Sequence, residues 1–84
     1  MHPAQDITIQ DRISDLLVHV LRVPAEAVGA DTTFAALGID SLILVELALL
    51  IGDEFGVSIA DGELLPEMTI GASAELVSQR SRVR

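Results

Sequence analysis

The 84-residue chain contains no cysteine, no tryptophan, no tyrosine and no lysine. Without cysteine there is no disulfide framework and no thiolate metal site, and any thiol chemistry has to arrive on an attached group. Only 2% of the residues are aromatic, Phe34 and Phe55, although half the chain is apolar. A core built from Leu, Ile, Val and Ala around two large anchors suits packed helices better than a sheet. Basic charge is equally scarce: five arginines stand against thirteen acids, for a net charge of −8. That balance argues against nucleic acid and anionic membrane surfaces as partners, and favours a basic protein. The longest apolar run, around Leu42 to Ile51, carries Glu46 in its middle and is about half of what a membrane-spanning helix needs. No basic segment followed by an apolar core and a cleavage site opens the chain, so a secretory signal is not supported and a cytoplasmic location is expected. At this length the expectation is a single domain, 1–84, with a core over about residues 7–79 and flexible ends. Such a domain buries only about 60–65% of its unfolded surface, too little for a deep catalytic cleft of its own.

What is present is organised around Leu37-Gly38-Ile39-Asp40-Ser41-Leu42 and the apolar run that follows it. Gly38 can take backbone angles closed to other residues, and Asp40 and Ser41 are both good helix N-caps, so the chain is expected to turn at Gly38 and start a helix at Asp40 or Ser41. Ser41 then sits at a helix end whose unpaired N–H groups and macrodipole favour a phosphate. Projected at about 100° per residue, the helix has two apolar sides. Leu44, Leu47, Ala48, Ile51 and Phe55 form a stripe that suits a core. Leu42, Val45 and Leu49 lie opposite, with Glu46 and Asp53, while Ile43 and Leu50 widen the apolar area between the two sides. A chain this short has too few elements to bury every face of one helix, so something else should cover the second side.

The rest of the chain reads as support. A first helix, capped by Asp6 or Thr8 and ending near Leu21, places Ile9, Ile13, Leu16, Leu17 and Val20 on one arc. Pro24 disfavours helical angles at Val23 and opens a long connection to Gly38, which Val28, Phe34 and Leu37 should anchor. The second helix should end near Phe55 at a Gly56 cap, after which Val57 and Ile59 return to the core. Asp61 to Pro66 allows at most one short helical turn before the proline. Thr69 can cap a last helix with Ile70, Ala74 and Val77 on one face, followed by a tail, Gln79 to Arg84, that should fray. The predicted architecture is all-α, a small bundle of four helices with the third very short.

The stretch from Phe34 through Leu42, followed by Val45-Glu46-Leu47, resembles the phosphopantetheine attachment region of acyl carrier proteins, and the likeness covers roughly residues 7 to 79. The resemblance implies a bundle of the acyl-carrier type whose long loop runs between the first two helices. It also implies that Ser41 carries 4′-phosphopantetheine, transferred from coenzyme A, and that the thiol of that arm holds acyl groups as thioesters. Asp40 would orient the modifying enzyme or simply cap the helix, and Leu42, Val45, Glu46, Leu49 and Asp53 would meet partner enzymes. Those partners would be a phosphopantetheinyl transferase and acyl-loading or condensing enzymes with basic docking patches, acting on a monomeric carrier that catalyses nothing itself. The spacing of Phe34 from Leu37-Gly38 is more similar to carriers of polyketide and nonribosomal peptide assembly than to those of bacterial fatty-acid synthesis. Ile43 points the same way, since fatty-acid carriers usually place an acid just after the Ser-Leu pair. Val45-Glu46-Leu47 resembles acyl carriers more than peptidyl or aminoacyl carriers, which remain the alternative. A chain that begins at Met1 and spans one domain is expected to be free-standing.

Other classes explain less. Gly38 to Leu42 is similar to the Gly-Asp-Ser-Leu signature of some esterases, but Ile39 is inserted between Gly and Asp, and no histidine is placed in sequence to serve Ser41 as a base. His2 and His19 are expected to be solvated, without matching metal ligands. The acids lack the alternating spacing of a calcium loop. A helical adaptor that uses the second apolar side without a cofactor would share every feature except the need for Ser41.

Overall fold

A computed structural model describes residues 8–81. Among them are three α-helices, α1 (Ile9–His19), α2 (Ser41–Phe55) and α3 (Ile70–Ser81), and no strand. Each start follows from a side chain that takes up an orphan N–H. Thr8 accepts from the Asp11 N–H while the Asp11 carboxylate accepts from the Thr8 N–H, a reciprocal capping box. Asp6, the other candidate cap, lies outside the described residues, as does His2. Asp40 accepts from the Ile43 N–H at 3.0 Å and Thr69 from the Ala72 N–H at 3.0 Å. At the far end of α2, Gly56 adopts φ 68°, the left-handed closure that a glycine makes without strain.

The core lies where α1 packs against α3 and the buried side of α2 closes over both. Ile13 and Leu17 of α1, Leu44, Leu47 and Ile51 of α2, and Ile70 and Val77 of α3 are almost fully enclosed. Phe34 reaches the same core from the long connection and is completely buried, with Val28 and Leu37 partly buried beside it. That connection contains two single 3₁₀ turns, Ala25–Ala27 and Ala35–Leu37. It is sewn to the chain ahead of α3 by backbone bonds: the Phe34 N–H donates to Met68 O at 3.1 Å, the Ala35 N–H to Pro66 O at 2.7 Å and the Ile70 N–H to Thr32 O at 2.9 Å. A loop this long would otherwise carry unpaired polar backbone into the interior.

Three expectations are revised. α1 stops at His19, and Val20, assigned by periodicity to the apolar arc, is half exposed as the capping residue. The Val23 N–H closes instead on Leu17 O at 3.0 Å and Val23 is buried in its place. The expected third helix does not form. Gly62, at φ 89°, cannot continue a right-handed helix, and the segment from Val57 to Met68 is held by turn bonds such as Glu63 N–H to Ala60 O at 3.1 Å. The tail was expected to fray from Gln79, yet α3 runs to Ser81 because Arg80 is pinned by Glu63 and by the Ser58 carbonyl. Residues 82–84 lie outside the described part.

One position escaped sequence reasoning. Gly52, in the interior of α2, is where the chain leaving Gly56 folds back across the helix: a Cβ there would lie 2.8 Å from Val57 O. No side chain can be accommodated without moving that backbone.

Candidate functional site

The turn that presents Ser41 is built from the chain preceding it. Phe34, fixed in the core, accepts from the N–H groups of Leu37 and Ile39, each at 3.0 Å. Gly38 at φ 79° turns the chain between them, and Ile39, only 4% exposed, nails the turn to the interior. A Cβ at Gly38 would meet nothing within 4 Å, so the glycine is needed for its backbone angle and not for space. Asp40 then caps α2 and Ser41 is its first helical residue.

Capping and chemistry are thereby divided between adjacent residues. The Asp40 carboxylate satisfies the Ile43 N–H, and the exposed Ser41 hydroxyl takes no part in the hydrogen bonds of the described residues. Ser41 stands between two concavities. One, about 130 Å³, is enclosed by Leu44, Val45 and Ala48 of α2 and by Ala60, Leu64 and Leu65 of the facing segment. The other, broad and open at about 410 Å³, is bordered by Ala35, Gly38, Ile39, Asp40 and Pro66. A phosphodiester on the Ser41 oxygen fits this geometry: the oxygen is accessible, it surrenders no internal hydrogen bond, and it lies at the helix end where a phosphate is favoured.

The second side of α2 is open along its length. Leu42 is 73% and Leu49 68% exposed, Val45 lies at the border of the smaller concavity, and Glu46 and Asp53 are exposed. These five residues follow the spacing of a single helical face. Neither acid belongs to the two ion pairs found among the described residues, Arg12–Glu54 and Arg80–Glu63. Ile43 and Leu50 are half buried between the two sides. Across the smaller concavity stands Leu65, 42% exposed, a residue that sequence reasoning passed over. Nothing in Leu64-Leu65-Pro66 tells the two leucines apart in sequence; here Leu64 takes the buried place and Leu65 the open one.

His19 is exposed in the last turn of α1, in a groove with Arg12, Leu16 and Glu54 that shares no residue with either concavity at Ser41. Among the described residues no histidine borders either concavity at Ser41. Among the described residues no group of three or more His, Cys, Asp or Glu is placed to hold a metal, and no helix is long and apolar enough to cross a membrane.

A family model described as the phosphopantetheine attachment site matches residues 11–77. The matched region begins in α1, ends in α3 and contains the whole Gly38 to Leu42 turn. The fold, the exposed serine at a helix start and a match over most of the chain agree, and the protein belongs to the phosphopantetheine-binding carrier family, whose members hold 4′-phosphopantetheine covalently.

Proposed function

We propose that Ser41 is the residue that receives 4′-phosphopantetheine and that the protein carries acyl intermediates as thioesters on that arm. The observation that carries this reading is the position of Ser41: exposed, first in α2, its hydroxyl outside the hydrogen bonds of the described residues, beside an Asp40 that has already taken over the cap. The arm would supply the thiol that this cysteine-free chain lacks. The chain itself would catalyse nothing. It would fix the arm at one point and present the thioester to successive enzymes, replacing weak substrate affinity by a high effective concentration.

In this reading the exposed face of Leu42, Val45, Glu46, Leu49 and Asp53 is where partners dock. Three apolar side chains give short-range contact, and the two acids, outside the ion pairs of the described residues on a chain of net charge −8, steer basic patches toward it. The partners would be a phosphopantetheinyl transferase and the loading, condensing or tailoring enzymes of a specialised acyl pathway, of the polyketide or hybrid peptide kind. Association would be fast and weak, since the carrier must leave after every step. Intact-mass analysis of protein purified from its own host, with the thioester preserved, tests this directly. One phosphopantetheine bearing an acyl group is expected, while an aminoacyl load would move the protein to the peptidyl class and an unmodified chain in a host with an active transferase would overturn the reading.

A further inference from the structure

The smaller concavity beside Ser41 has one regular wall and one irregular wall. The regular wall is α2, fixed by the core. The other is the Val57 to Met68 segment, which has no helix of its own and whose Gly62 sits at φ 89°. Its attachment to the rest of the fold is uneven. Its ends are fixed by backbone, the Val57 N–H on Gly52 O at 3.2 Å and the Pro66 and Met68 carbonyls on the Ala35 and Phe34 N–H groups, and Leu64 is buried. Between those ends, among the described residues, the side chain of another element that hydrogen-bonds the segment is Arg80 of α3.

Among the described residues, the Arg80 fork bonds only to this segment. Nη1 donates to the Ser58 carbonyl at 2.7 Å and to Glu63 Oε1 at 3.0 Å, and Nη2 pairs with Glu63 Oε2. Glu63 Oε1 in turn accepts the Ala60 N–H at 2.8 Å. Ser58, Ala60 and Glu63 are thus held together, and the residues among and after them, Ala60, Asp61, Gly62, Leu64 and Leu65, line the concavity with Ser41, Leu44, Val45 and Ala48. The ordinary role for an ion pair on a small domain is general stability, or none, since exposed pairs contribute little. This pair differs in being bidentate, half-enclosed at 36% and 30% side-chain exposure, and bonded to backbone at two points of one segment.

We propose that the Arg80–Glu63 pair is a latch that sets how often the middle of this segment, Ser58 to Leu65, lifts from α2 while its ends stay fixed, and so controls access to the concavity beside Ser41. Local openings of this type draw on the few bonds that hold a segment, while the helices around it stay closed. What such opening does for a chain carried at Ser41 rests on the carrier reading. The latch itself does not.

The absence of native cysteine allows the opening to be measured on the unmodified protein. Ala48→Cys puts a thiol on the α2 wall of the concavity, at a site only 5% exposed, and Ser73→Cys puts a near-isosteric thiol at a fully buried site in α3. Each is alkylated with iodoacetamide, with Arg80 intact and with Arg80→Gln or Glu63→Gln. The latch predicts that either second substitution speeds alkylation at position 48 about three- to tenfold while the rate at position 73 stays unchanged. Equal acceleration at both positions would make the pair a general stabiliser and overturn the proposal. Acceleration at neither would show that it holds nothing. Because no step involves the arm, failure here leaves the assignment of Ser41 untouched, and failure of that assignment leaves this result standing.

Discussion

Alanine at Ile51 and alanine at Leu49 should have opposite consequences, although the two residues are nearly adjacent on α2. Ile51 is completely enclosed and Leu49 is 68% exposed. Truncating an enclosed isoleucine removes buried carbons and leaves a void that the neighbours fill only in part, at a cost of about 2–5 kcal/mol. For a domain of this size each kcal/mol moves the midpoint by about 4–8 °C, so Ile51→Ala should lower Tm by at least about 8 °C. A fully buried leucine gains about 1.5–3 kcal/mol from burial, and Leu49 retains roughly a third of that, partly offset by the better helix propensity of alanine. Leu49→Ala should therefore cost under about 1 kcal/mol. Its effect belongs in docking, where loss of an apolar anchor costs above about 1 kcal/mol, a fall of fivefold or more in acyl transfer at subsaturating carrier. Thermal denaturation followed by circular dichroism, with transfer measured well below each midpoint, separates the two quantities. If Leu49→Ala melts as early as Ile51→Ala, or leaves transfer unchanged, the exposed side of α2 is not the docking surface.

Glu46→Arg and Asp53→Arg, both exposed and outside the ion pairs of the described residues, should slow transfer at low salt and converge on the parent rate as salt rises, because exposed charges are screened within about 10 Å at 0.1 M. Equal rates at low salt would remove electrostatic steering. Gly52→Ala should destabilise by about 1–3 kcal/mol, although glycine to alanine inside a helix ordinarily stabilises by about 1 kcal/mol, because the new Cβ would press on Val57 O at 2.8 Å. A raised denaturation midpoint would contradict that packing. The Glu63 carboxyl is held below its ordinary range, first by the hydrogen bond from Arg80 and then by that from the Ala60 N–H. Being lowered in the folded state, it contributes stability that is present above the unfolded value and lost as pH falls through the folded one. In a carboxyl-detected NMR titration its midpoint should move up toward the ordinary glutamate range in Arg80→Gln, and an unmoved midpoint would deny the pairing.

Features set by local chemistry were legible in the sequence. Asp40, Thr69 and Thr8 cap, and Gly56 closes, because each acts on backbone within a few residues of itself. The two-sided character of α2 was legible for the same reason, since helical spacing alone separates Leu44, Leu47 and Ile51 from Leu42, Val45 and Leu49. Relations between distant segments were not. Periodicity kept Val20 on the apolar arc because it cannot see that the chain turns before that residue and buries Val23 instead. Arg80 read as part of a fraying tail because its partner lies 17 residues away, in a segment whose irregular path no local pattern specifies. Gly52 carries no local signal, and only the return of Val57 across the helix gives it a purpose. At the site, helical spacing separated the face of Leu42, Val45, Glu46, Leu49 and Asp53, the roles of Ser41 and Asp40 came from the family resemblance, and Leu65 needed the opposing wall to be recognised.

The central claim is that one hydroxyl, at Ser41, receives the arm. Incubating the purified chain and its Ser41→Ala variant with a phosphopantetheinyl transferase and coenzyme A, and reading intact mass, tests it most directly. The parent should gain a single phosphopantetheine, mapped by peptide fragmentation to Ser41. The variant should gain none while keeping its circular dichroism spectrum and melting midpoint, since Asp40 and not Ser41 makes the cap. A Ser41→Ala chain that still takes up the arm, or a folded parent that never does, would contradict the account.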